Sequence, residues 1–167
     1  MLGDGERAVA AIGRANDARD QVEPDDLDDL GGIMTFPLPR QLYYTADTYV
    51  WIPGREREAD RVAGEAITAY NQAAPSERSF GDEAGASADQ ALARVTMGDL
   101  EGAAEALRPV LELPAEQRIG GVVTSAMRVH TALHTPASLG AAPARALQQE
   151  IEHYGQVSAG AALPRGR

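Results

Sequence analysis

The sequence contains no cysteine, which excludes a disulfide framework, Cys-ligated zinc, an iron–sulfur site and a thiol nucleophile. Lysine is absent as well: all fifteen basic residues are arginine, set against twenty-five Asp and Glu for a net charge of −10. So acidic a chain repels phosphate backbones, and direct nucleic-acid binding by it is not expected. Aromatic residues are scarce, at 5%. No apolar run approaches the roughly eighteen residues that a spanning helix needs. The first eleven residues carry Asp4, Glu6 and Arg7 and have no long apolar stretch, unlike a signal peptide. The expected location is the cytoplasm, with no membrane association.

What remains is a globular composition, 44% hydrophobic and 24% charged over 167 residues, with room for one domain. Thirty-one residues are alanine. Alanine, Leu, Arg and Glu are strong helix formers, and the periodic segments break at Gly and Pro.

The pattern predicts seven helices. The first spans about Asp4 to Asp17, with Ala8, Ile12 and Ala15 on one face. An acidic link follows, Asp20 to Gly32, holding a short helical turn from Pro24 to Leu30. Pro37 and Pro39 cannot both lie in a helix interior, so the second helix is placed at Arg40 to Ile52, ending at Pro53-Gly54. The third is expected over Arg55 to Ala73. The fourth, Phe80 to Met97, is capped by Ser79 and weakened by Gly81, Gly85 and Ser87. The fifth spans Leu100 to Leu111, the sixth Glu116 to His134, and the seventh Pro143 to Tyr154. No segment keeps a period-2 alternation, so the fold class is all-α. Residues 1 to 155 are expected to form one helical repeat domain, and 156 to 167 a flexible tail.

Self-comparison reveals a repeated frame: a turn Gly, a polar helix start, a small residue five positions on, and apolar residues at nine and twelve. It occurs at Gly98 with Ala103, Leu107 and Val110, at Gly3 with Ala8, Ile12 and Ala15, and at Gly54 with Ala59, Ala63 and Ala66. Physically this describes an antiparallel helix pair, in which Gly allows the reversal and the small residue allows close approach. Together with Ala91 on the fourth helix, the frame resembles the tetratricopeptide repeat, whose helix pairs stack into a solenoid. The chain departs from that family in three ways. Its turn glycines are 51 and 44 residues apart, Asp47 stands where a small residue is expected, and Ser87 and Arg94 stand where large rings are expected.

Dispersed motifs carry a closer resemblance: residues 32–37 (GIMTFP), Tyr43-Tyr44, residues 51–54 (WIPG), 75–83 (PSERSFGDE) and 104–111 (AEALRPVL). Over roughly residues 1 to 155 the chain resembles the C-terminal tetratricopeptide region of XRE-type helix-turn-helix transcriptional regulators of high-GC bacteria. The resemblance implies a regulatory, ligand- or partner-sensing domain that normally follows a DNA-binding head, and no such head is recognisable in this chain.

Five of the eight aromatics, Phe36, Tyr43, Tyr44, Tyr49 and Trp51, fall within sixteen residues. They read either as the wall of a concave groove or as fillers of the gaps in an Ala-rich core. As a binding site the candidates are Tyr43, Tyr44 and Trp51 with Arg40. His130 and His134 have a metal-sharing spacing but lack the Glu of the zincin motif and a third ligand, so they are expected to face solvent. Asp25, Asp26, Asp28 and Asp29 lack calcium-loop spacing and read as a solvated acidic turn. No catalytic residue, metal or cofactor is expected. The leading reading is a domain that binds a peptide, a protein partner or a small ligand. A small all-α enzyme of secondary metabolism and a structural adaptor forming a homodimer are the alternatives.

Overall fold

A computed structural model of the protein describes residues 2–23, 36–135, 138 and 140–162. Among them run seven α-helices and no strand: α1 (Leu2–Arg19), α2 (Leu38–Tyr49), α3 (Glu56–Gln72), α4 (Phe80–Met97), α5 (Leu100–Leu111), α6 (Gly120–Ala132) and α7 (Ala142–Ala162). A single 3-10 turn, Ala115–Gln117, precedes α6.

Several boundaries move for identifiable reasons. α2 starts at Leu38, with Pro37 as N-cap and Pro39 in the first turn, where the missing N–H has no helical partner to lose. It ends at Tyr49, so Trp51 and Ile52 lie in the following turn rather than on the helix. The expected sixth helix is split. Ile119 is extended (φ −68°, ψ 158°), and α6 begins only at Gly120. α7 does not stop at Tyr154; it continues through Gly155 to Ala162, because a glycine without a left-handed turn weakens a helix but need not end it. The Pro24 to Leu30 turn lies outside the described residues, as do residues 163–167.

Two of the three frame glycines make reversals. Gly54 (φ 84°) and Gly98 (φ 83°) occupy the left-handed region that side chains disfavour. At Gly98 the chain ends α4, the Asp99 amide donates to the Arg94 carbonyl at 2.9 Å, and Asp99 Oδ1 caps α5 by accepting from the Gly102 amide at 2.9 Å. Gly3 makes no such reversal: it lies in the first turn of α1 with no positive φ.

Consecutive helices pack in pairs, α2 on α3, α3 on α4, α4 on α5, and α6 on α7. Alternate helices also touch, α2 with α4, α4 with α6, and α5 with α7. This order is consistent with stacked helix pairs, in which α2, α4 and α6 form one layer. α1 is attached differently, and none of its described side chains is completely buried. Ala8 and Ile12 are only half-buried and Ala15 is exposed, so the apolar face expected there is incomplete. Polar contacts tie it to α2: Arg19 Nε donates to Gln41 Oε1 at 2.7 Å, Arg19 also donates to the Phe36 carbonyl, and Gln41 Nε2 donates to Asn16 Oδ1 at 3.0 Å.

α4 lies at the centre. From Ala84 to Asp89 every residue is buried, which an amphipathic surface helix would not show. Its small side chains let four helices close around it. The main core joins Ala84, Ala88 and Ala91 of α4 to Ala103, Leu107 and Val110 of α5, and reaches Ala126, Leu147 and Ile151 on α6 and α7. A second, smaller core pairs Ala46 of α2 with Val62 and Ala63 of α3, and Leu42 and Tyr49 pack against it. Ala59 is fully buried too.

Polar clamps supplement these thin apolar contacts. Arg94 of α4 donates to Asp60 Oδ1 on α3 at 2.8 Å and to the Gly102 carbonyl on α5 at 3.0 Å. One guanidinium thus ties three helices.

Gly85 sits where the Tyr43 ring crosses α4. An added Cβ would lie 2.6 Å from Tyr43 Cε2. Gly85→Ala is therefore expected to destabilise by about 1–3 kcal/mol through overpacking, despite alanine's better helix propensity. Gly121→Ala, whose methyl meets nothing within 4 Å, should leave stability unchanged or raised. Urea unfolding of both variants checks the opposite signs.

Candidate functional site

The aromatic window separates into three faces of α2 and its C-terminal turn. Leu42 and Tyr49 face the small core on α3. Tyr43 turns toward α4, half-buried over Gly85. Tyr44 remains 49% exposed and Trp51 62% exposed. The helical spacing of seven does not put Tyr44 and Trp51 on one helix, because α2 has ended before Trp51. Rings nevertheless adjoin. Phe36 stacks on Tyr44 with centroids 6.0 Å apart and planes 5° from parallel, and Tyr44 leans on Tyr43 at 5.1 Å. Tyr49 and Tyr43 thus fill space between helices, as the core reading expects, whereas Phe36, Tyr44 and Trp51 stay exposed.

Arg40, grouped with these rings from the sequence, is engaged in a structural contact. Its Nε bonds Asp82 Oδ2 at 3.1 Å, and the same oxygen accepts from the Tyr70 hydroxyl at 3.0 Å. Asp82 in turn has its backbone amide capped by Ser79 Oγ at 3.3 Å. One carboxylate thus joins α2, α3 and α4. Burial and this anion hold the fully buried Tyr70 phenol above its usual range, and the hydrogen bond to Asp82 raises Arg40.

Beside Tyr43 lies a cluster that pattern reading did not assemble. Asp47, one turn after Tyr43, accepts from Arg128 Nη1 of α6 at 3.3 Å, and the Arg128 guanidinium lies 5.6 Å from the Trp51 ring centroid. Asp89 of α4 is only 3% exposed, and its Oδ2 has no hydrogen-bond partner. Burial pushes the Asp89 carboxyl up to about 8; the Asp47 charge adds to the rise and Arg128 opposes it. Burial and the charges of Asp89, Asp47 and Asp82 push the Tyr43 phenol up to about 12. A carboxyl raised in this way holds its proton closer to neutral pH than a solvated aspartate does, and while protonated it can donate as well as accept.

Asp47 was visible in the sequence as a departure from the repeat frame. Asp89 could have been noticed as the one acid in the alanine-rich stretch 84–93, four residues after Gly85. Arg128 lies 81 positions from Asp47 and left no local signal.

The histidines sit elsewhere. His130 is largely covered rather than solvent-facing: its Nε2 is 3.1 Å from Glu152 Oε1 on α7, which α6–α7 packing brings over it. His134 is exposed and its Nδ1 meets the His130 carbonyl at 2.9 Å. Among the described residues no three His, Asp or Glu are grouped to hold a metal ion, and no helix is long and apolar enough to cross a membrane. The acidic run Asp25 to Asp29 lies outside the described residues.

A cleft of about 590 Å³ opens between α3, α4 and α5, lined among others by Ile67, Asn71, Phe80, Ser87, Pro109 and Gln117. Its size is within the range of small-molecule sites. Pro109 lies inside α5 and leaves the Glu105 carbonyl without its helical donor.

No protein-family model, curated protein or solved structure matches this chain.

The sign of the Asp89 effect is fixed by its raised value. Below about pH 3 the group is protonated whether folded or unfolded. Between about 4 and 8 only the folded state keeps the proton, so its contribution to stability falls by up to about 1.4 kcal/mol per pH unit and levels off above 8. Asp89→Asn should therefore match the parent near pH 3 and exceed it in Tm by a margin that grows to pH 8. Thermal unfolding across that range checks this; a margin independent of pH sinks the assignment.

Proposed function

We propose that this chain is a tetratricopeptide-like helical repeat domain that binds a peptide segment of a partner along the layer formed by α2, α4 and α6. The reading is of a sensing or interaction module, not a catalyst. The observation that carries it is the exposed aromatic surface of Phe36, Tyr44 and Trp51 on the α2 side of that layer, continuous with the Asp47–Arg128 pair. Exposed rings next to paired charges are the composition of interaction surfaces, where aromatics and arginine supply most of the contact energy. Stacked helix pairs suit the task because they offer an extended surface without a deep cavity.

The motifs that resemble XRE-type regulators support a place for this domain in transcriptional control, with DNA contact made by another polypeptide segment. The net charge of −10 agrees with that division of labour. Binding would act by population shift: a segment that prefers one stacking of α2, α4 and α6 moves the balance between arrangements by its differential affinity. α1, tied to α2 by the polar contacts of Arg19 and Gln41, is the element most easily displaced by such a change.

Display of random peptides against the folded chain tests the reading. Enriched peptides are expected to bind the parent and to lose about ten-fold or more in affinity on combined Tyr44→Ala and Trp51→Ala, as exposed aromatic anchors do. Unchanged affinity in a variant with parent-like circular dichroism overturns it.

A further inference from the structure

Arg128 makes an unusual pair of contacts for a surface arginine. Its guanidinium meets the Trp51 ring at 5.6 Å and the Asp47 carboxylate at 3.3 Å through one nitrogen, Nη1. Both partners are reachable from solvent: the Asp47 side chain is 33% exposed and Trp51 is 62% exposed. The charges of Asp47 and Arg128 also reach Asp89 of α4, which is almost wholly buried. A carboxylate from α2 and the indole face of the turn after it are thus served by a single arginine from α6. A guanidinium suits such a place better than an ammonium does, because it is planar, weakly hydrated and stacks on aromatic faces.

We propose that Asp47 and Trp51 form a subsite for an arginine side chain of a bound peptide, which Arg128 fills in the free chain. The inference rests on the reading of the α2–α4–α6 layer as a peptide-binding surface and names the chemistry recognised there. The incoming guanidinium takes the Asp47 carboxylate and the Trp51 face, and Arg128 swings out to solvent. Such internal competition lowers apparent affinity by the fraction of time the subsite is open. It also supplies selectivity, since only a guest that replaces both contacts of Arg128 leaves no carboxylate unpaired. The charge balance of the chain favours the same kind of guest: twenty-five acids face fifteen arginines and no lysine. Tyr43 and Tyr44, from α2, and Asp82, in the first turn of α4, are further titratable groups of this region, and Asp82 is already held by Arg40 and Tyr70.

Trp51 is the sole tryptophan, so its emission reports on the subsite directly. The full chain is titrated with N-acetylarginine amide and, separately, with N-acetylcitrulline amide, which has the same shape without the charge. The expected result is a saturable change in Trp51 emission, with citrulline about ten-fold weaker or more, as loss of a charge-assisted, stacked contact implies. Arg128→Gln is expected to tighten arginine binding several-fold, and Asp47→Asn to weaken it about ten-fold. Equal affinity for the two probes, or no tightening in Arg128→Gln, overturns the proposal. If Asp47→Asn does not fold, the probe comparison on the intact chain decides alone. The two readings fail separately. Displayed peptides that need Tyr44 and Trp51, while the arginine probe does not bind, remove the subsite and leave the peptide-binding face standing. Displayed peptides indifferent to those rings remove the face itself.

Discussion

The constraint on which the rest of this molecule depends is the thinness of α4. Between Ala84 and Asp89 the helix carries Ala, Gly, Ala, Ser, Ala and Asp, and all are buried. Dispersion attraction falls steeply with distance, so a helix of small residues is stable at the centre only if its neighbours come close. They do: α2, α3, α5 and α6 all pack on it, and at Gly85 the Tyr43 ring lies where no side chain could fit. Close approach on every side leaves little apolar area per contact. That accounts for the reliance on polar clamps at Asp82 and Arg94, each of which spans three helices. Partly covered pairs of this kind contribute more to fixing how helices sit than to net stability, because desolvation offsets much of the attraction.

The same closeness creates the chemistry of the α2–α4–α6 layer. An acid at position 89 on a surface helix would be an ordinary solvated carboxylate. Here Tyr43 and the adjoining helices cover it, Asp47 adds a like charge, and the proton stays on to about pH 8. The elements that pack most tightly thus also produce the least relaxed group. Buried acids without a partner lower stability when ionised, and their presence at a junction of three helices marks a place where stability has been conceded. The exposed rings Tyr44 and Trp51 flank this junction, so hydrophobic contact, charge pairing and a proton-holding acid lie together on one side of the molecule. The cleft between α3, α4 and α5 carries a less focused set of charges, Arg78 and Glu83 among its lining residues being paired with each other.

Helix count, the fourth and fifth helices and the two working reversals were legible in the sequence, because each depends on local rules. Ser79 and Asp99 cap the helices that follow them, and Gly54 and Gly98 turn the chain, through contacts within a few residues. Where local rules compete, the boundaries slipped. Prolines 37 and 39 are compatible with a helix start, the extended Ile119 delayed α6 to Gly120, and Gly155 did not stop α7. Gly3 matched the repeat frame as a string of residues, yet it sits within a helix and makes no turn.

By itself the sequence determined an all-α chain, free of cysteine and lysine, whose alanines fall at the close contacts of paired helices. Helix propensity, capping and composition act over a few residues and need no knowledge of the fold. Only the tertiary structure decided what the aromatic window and the charges do. It committed Arg40 to Asp82, turned Tyr49 to the core, left Tyr44 and Trp51 outward, and brought Arg128 to Asp47 across 81 residues. Burial and charge interaction depend on distance in space, and no spacing along the chain encodes how near α6 comes to α2.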